Sequence, residues 1–85
     1  MKEVWLVRVV YQYDGYDNTE VYSIKGKACE AANQLVFEFE EDGYVQLDTY
    51  DDVEFSEDTM GDFCYTRLGN LSGEVEIAIE KKIIR

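Results

Sequence analysis

Two long stretches near the ends of the chain, Val4 to Tyr13 and Glu74 to Ile84, alternate in side-chain character with a period of two. A strand with that period sends one row of side chains to each face of a sheet. In the first stretch Trp5, Val7, Val9, Tyr11 and Tyr13 stand opposite Val4, Leu6, Arg8, Val10 and Gln12, with Arg8 and Gln12 marking the wetter face. In the last, Val75, Ile77, Ile79, Lys81 and Ile83 stand opposite Glu76, Ala78, Glu80 and Lys82. β-Branched and aromatic residues dominate the first stretch, as suits a pleated and half-buried surface. A sheet with an apolar face must be covered, and 85 residues can build only one small core that buries roughly 60% of the unfolded chain's surface. There is no proline, so no rigid linker or domain boundary is signalled, and one domain over residues 1–85 is expected.

Between the two stretches the chain supplies the cover. Asp14-Gly15-Tyr16-Asp17-Asn18 is turn chemistry, and a β-rich run from Thr19 to Lys25 completes a hairpin with the first strand. Gly26 ends that strand. Lys27 to Asp42 then reads as a helix, with Ala28, Ala31, Ala32, Leu35, Val36 and Phe39 at helical spacing and Gly43 just past its end. Leu35 to Glu40 also alternates at period two and is open to a strand reading. The alanine-rich Ala28 to Ala32 favours the helix, which would leave Phe37 pointing away from the apolar stripe among carboxylates. Tyr44 to Thr49 reads as a short strand, Asp51 to Glu57 as an edge strand with Val53 and Phe55 inward, and Ser56 to Gly61 as a loop. Phe63 to Leu68 is a further strand, with a turn over Gly69 to Gly73 before the final one. The expectation is an α+β domain in the order β-β-α-β-β-β(-β): one helix packed on one face of a mostly antiparallel sheet of four to six strands.

Charge is distributed unevenly. From Ala28 to Thr66 there are twelve acids and no lysine, arginine or histidine; the remainder holds seven acids and eight bases, which together make the net charge of −11. Hydrophobic residues at 46%, including twelve aromatics, provide too much apolar surface for a disordered acidic tail. Solubility accounts for a negative net charge, but it does not require bases to be absent from 39 consecutive residues.

The inventory of reactive groups is short. With no histidine, the usual neutral-pH general base is missing, and with it Ser-His and Cys-His pairs and His-bearing zinc sites. Cys29 and Cys64 form no C-x-x-C pair and cannot complete a four-thiolate site; they are expected reduced and at least partly buried. The six glycines are scattered singly, so no phosphate-cradling loop is present. Paired carboxylates such as Asp51, Asp52 and Glu54 could serve glycoside hydrolysis, but the domain is small for a sugar cleft. The expectation is therefore a protein that is not an enzyme and uses no cofactor or specific metal. Carboxylates leave a Ca²⁺-binding module open as an alternative, although the EF-hand spacing is missing. No apolar run approaches the ~20 residues of a membrane span and no signal core precedes the first strand, so a cytoplasmic protein without membrane contact is expected.

Direct nucleic-acid binding is disfavoured by sign, since phosphate affinity comes from lysine and arginine. The converse is attractive: a carboxylate-dense face can occupy a basic groove built for DNA or RNA. Glu38, Glu40, Glu41, Asp42, Asp48, Asp51, Asp52, Glu54, Glu57, Asp58 and Asp62 are the candidate residues for such a face, with Tyr44 and Tyr50 as aromatic anchors. Tyr11, Tyr13, Tyr22 and Tyr65 are expected as ordinary half-buried strand residues.

In size, charge and missing catalytic parts, the chain is similar to the small acidic inhibitors that phages and mobile elements make against host defence nucleases, the anti-CRISPR and anti-restriction proteins. That resemblance implies a stoichiometric inhibitor acting in the host cytoplasm. It would dock one acidic face, formed by Glu38 to Asp62, into the nucleic-acid site of a larger basic effector or nuclease. A second reading is an adaptor domain that pairs through a sheet edge with a partner or with a second copy as a homodimer, the acids serving solubility alone.

Overall fold

The computed structural model describes residues 2–11, 17–49 and 54–84. Within them the chain forms β1 (Lys2–Tyr11), β2 (Asp17–Tyr22), α1 (Lys25–Glu41), β3 (Val45–Thr49), β4 (Phe63–Asn70) and β5 (Gly73–Ile84). The five strands make one antiparallel sheet in the order β2-β1-β5-β4-β3, an α+β architecture. The two alternating stretches are central neighbours, with Val7 opposite Ile79 and Val9 opposite Ile77. The helix connects the two edges, leaving β2 on one side of the sheet and delivering β3 to the other.

One face of the sheet holds the core. Trp5, Val7 and Val9 of β1, Cys64 and Leu68 of β4, and Val75, Ile77 and Ile79 of β5 pack with Ala28, Cys29 and Ala32 of the helix. Small side chains on α1 let its backbone approach the sheet closely, while Leu35, Val36 and Phe39 extend the contact toward the helix C-terminus. Phe37 is 56% exposed, as its place off the stripe implies. The open alternative at Leu35 to Glu40 is thus settled as helix.

Several boundaries differ from the expectation, each for a tertiary reason. The helix begins at Lys25, so Gly26 lies inside its first turn rather than ending a strand. The Lys25 ammonium donates to the Met60 carbonyl at 2.7 Å and lies 5.1 Å from the centre of the Trp5 ring, which ties down a first turn that has no side-chain cap. The edge strand read from Asp51 to Glu57 falls partly outside the described residues, and Glu54 to Glu57 is not a strand. Phe55 is buried as expected, but its carbonyl accepts from the Asn33 amide of the helix at 2.8 Å instead of a strand. Residues 57–59 turn as expected, and β4 continues through Gly69 to Asn70. The tight turn is Leu71-Ser72, where the Asn70 side-chain oxygen accepts from the amides of Ser72 (2.7 Å) and Gly73 (3.1 Å). Among the described residues, no helix is long and apolar enough to cross a membrane.

Candidate functional site

The acidic residues singled out in the sequence do not come to one surface. Asp62 lies just before β4, where its carbonyl accepts from the Lys81 amide at 2.8 Å and its carboxylate meets the Lys81 ammonium at 3.4 Å. The same ammonium reaches Glu3 at 3.7 Å. Glu54 is exposed near the buried Phe55, and Glu57 and Asp58 sit in the turn beside the start of the helix. The Glu57 carboxylate is so close to Gly26 that a Cβ there would meet its oxygen at 3.1 Å. It gives the helix N-terminus, which has no acid of its own in the first turn, a favourable negative neighbour. Asp48 occupies the sheet face opposite the helix, accepting from the Tyr65 hydroxyl at 3.2 Å and lying 4.0 Å from the Arg67 guanidinium. The carboxylate beside it raises the Tyr65 pKa above the ordinary 10.0. Tyr50, Asp51 and Asp52 lie outside the described residues.

Glu38, Glu40, Glu41 and Asp42 remain, and they stand together at the other end of the helix. All four are exposed, and no basic residue lies in the last turn. The 17-residue helix separates them from Lys25 by roughly 25 Å. Glu38 receives a long contact from the Gln34 amide at 3.4 Å. The carboxylates crowd the negative end of the helix dipole, an arrangement that costs the fold a few tenths of a kcal/mol each. Gly43, at φ +92°, turns the chain back toward β3. Tyr44 is half-buried, its ring edge-on to Phe39 at 5.0 Å, and Phe39 in turn meets Tyr11 at 5.9 Å. Its ring therefore closes the margin of the core instead of standing free as an anchor.

Beside this acidic end lies a feature the sequence reading missed. Val45 and Leu47 on β3 and Leu71 at the β4–β5 turn are exposed and line a groove of about 590 Å³, with Asp42 and Glu74 also on its lining. Among the described residues, no lysine or arginine lines it. Gly69 makes the groove possible: a Cβ there would meet the Leu47 Cδ1 at 2.8 Å, so the leucine lies across the glycine. A register shift between Gln46 and Asp48 accommodates that leucine. The available signal was Leu71, an apolar residue in an Asn-Leu-Ser-Gly turn where polar residues are the rule.

The two cysteines are buried free thiols at the opposite end of the helix. Cys29 Sγ lies 3.6 Å from Met60 Sδ, and burial is the main cause raising both thiol pKa values above the ordinary 9.0. Among the described residues, no group of three or more acidic or cysteine side chains is placed to hold a metal ion. Tyr11, Tyr22 and Tyr65 are partly buried strand residues, and Tyr22 donates to Glu20 at 2.8 Å. Comparison with known protein families, with curated proteins and with solved structures finds no match for this chain.

Proposed function

We propose that this protein is a non-catalytic binding module of the inhibitor type, which docks its acidic end onto a larger basic protein and competes there with nucleic acid. The observation that carries the reading is the base-free cluster Glu38, Glu40, Glu41 and Asp42 at the negative end of α1, continued by Glu74 across the adjacent groove. These carboxylates oppose the helix dipole, and no basic residue lies in the last turn with them. At the helix start, by contrast, the acids are absorbed into structural contacts with Lys81 and Gly26. Clustered carboxylates in high dielectric steer association with a positive surface and repel nucleic acid itself, since duplex DNA carries about one negative charge per 1.7 Å of axis. The binding face is narrower than the sequence implied, and it is the end of the molecule rather than the span from Glu38 to Asp62.

The sheet-edge alternative has less support at the β3 edge, which borders the acidic end. β3 is a five-residue edge broken by a register shift, and such irregularity discourages strand addition. The test is displacement of a labelled oligonucleotide from purified effector complexes of the CRISPR and restriction classes, followed by fluorescence anisotropy. The protein is expected to release the probe from at least one effector, with potency falling steeply between roughly 50 and 200 mM salt. Reversal of Glu38, Glu40 and Glu41 to lysine is expected to abolish release. Probes that stay bound throughout, or release that survives the charge reversal, would overturn the reading.

A further inference from the structure

We infer that the groove formed by Val45, Leu47 and Leu71 is an anchoring site for one apolar side chain of a basic partner segment, a side chain flanked by lysine or arginine. This rests on the acidic-end reading above and adds to it a chemical class of occupant and a place of contact. Three features of the groove support it. Its exposed walls are aliphatic, with Val45 at 61% and Leu47 at 49% exposure, whereas a small soluble domain gains nothing from leaving these residues at a sheet edge. Its lining includes two carboxylates, Asp42 after the helix end and Glu74 from β5. Its floor depends on Gly69, the position where any side chain would push Leu47 out of place.

An apolar centre with a charged rim is the usual anatomy of a protein interface, with the centre slowing release and the rim guiding approach. The sign of the rim selects the occupant. A second copy of this chain would bring Asp42 and Glu74 against their own equivalents, on a molecule already carrying −11. A purely apolar segment would leave the carboxylates unpaired. A segment that places a leucine or an aromatic ring between cationic residues satisfies both parts.

The probes are two synthetic heptapeptides, one alternating lysine with leucine and one alternating lysine with serine, titrated into the isotopically labelled full chain at roughly 150 mM salt, where exposed charge pairs are strongly screened. The leucine peptide is expected to bind about tenfold tighter than the serine peptide. It should shift the amide signals of Val45, Leu47, Gly69 and Leu71. Leu71→Ser alters a fully exposed side chain and leaves the fold intact, so it should collapse the tenfold preference toward unity. Gly69→Ala should do the same by displacing the Leu47 methyl, whose exposure lets it move without unfolding the sheet. Val21→Ser, at the exposed far edge of the sheet, should change nothing. If both peptides bind equally and Leu71→Ser has no effect, the groove is not the anchor, while the basic-partner reading stands. If neither peptide binds, both fall. Leucine-dependent shifts that map to β2 instead of β3 overturn the assignment of the site.

Discussion

The two ends of α1 carry charges of opposite sign and use them differently. Along the first half of the helix, Lys25 is bonded to Met60 and lies over Trp5, Asn33 holds the Phe55 carbonyl, and Glu57 presses on Gly26. Charge there is part of the fastening that holds the 54–62 segment over the core. At the last turn, which holds no basic residue, Glu38, Glu40, Glu41 and Asp42 oppose the helix dipole. The contrast shows that a charge count along the chain says little about which charges are free. Among the described acids of the run, Asp48, Glu57 and Asp62 are drawn into structural contacts, whereas Glu38, Glu40, Glu41 and Asp42 stand at one end, beside an apolar groove.

That comparison can be broken or sharpened by measurement. The largest effect is expected at the fastened end: Phe55→Ala should remove about 3 kcal/mol of stability, because a ring only 5% exposed leaves a cavity against Met60 and the helix. Chemical denaturation checks this, and a loss below about 1 kcal/mol would mean the 54–62 segment is not anchored by its phenylalanine. Next comes Lys25→Met, which keeps the stem but loses the bond to Met60 and the contact with Trp5. A loss of about 1–2 kcal/mol is expected in the same assay.

At the free end the sign should reverse. Replacing Glu38, Glu40 and Glu41 by glutamine should stabilise the protein by up to about 1 kcal/mol in total, since each removes a negative charge from the helix C-terminus. A loss of stability there would show that these carboxylates have structural partners after all. The last effect is absent at neutral pH. Cys29 and Cys64 are held above the ordinary 9.0 by burial, so the folded state keeps thiol protons that the unfolded state gives up. Their contribution is complete below pH 9.0 and is lost as pH rises through the folded values. Thermal unfolding should therefore fall off above pH 9.0 in the wild type, and less so in a Cys29→Ala, Cys64→Ala variant whose neutral-pH stability serves as its own baseline.

Much of the architecture was legible in the sequence. The period-two rows of β1 and β5 identified Val7, Val9, Val75, Ile77 and Ile79 as core, and the alanine stripe identified the helix and its buried face. The turn expected over Gly69 to Gly73 falls at Leu71-Ser72, whereas Asp14 to Tyr16 lie outside the described residues and Asp17 and Asn18 belong to β2. The failures share a cause. Gly26 reads locally as a strand end, because nothing nearby in sequence reveals that Lys25 is held by Met60, 35 residues away. Glu54 to Glu57 reads as strand because an alternation of charge with one buried aromatic is also what a plugged loop looks like.

The candidate site was legible only in part. Glu38 to Asp42 could be read as a cluster because four acids within five residues of a helix end cannot lie far apart. Asp48 and Asp62 could not be assigned, since their partners Tyr65, Arg67 and Lys81 arrive from distant strands. The groove was invisible for the same reason, because Val45, Leu47, Gly69 and Leu71 become neighbours only when β3 pairs with β4.

By itself, then, the amino-acid order determined which segments alternate, which one coils and how much negative charge the molecule must carry, because those properties depend on neighbours within one or two turns of chain. The tertiary structure alone decided which carboxylates meet a cation and which are left bare, because an ion pair or an aliphatic wall depends on the register between strands that are far apart in sequence.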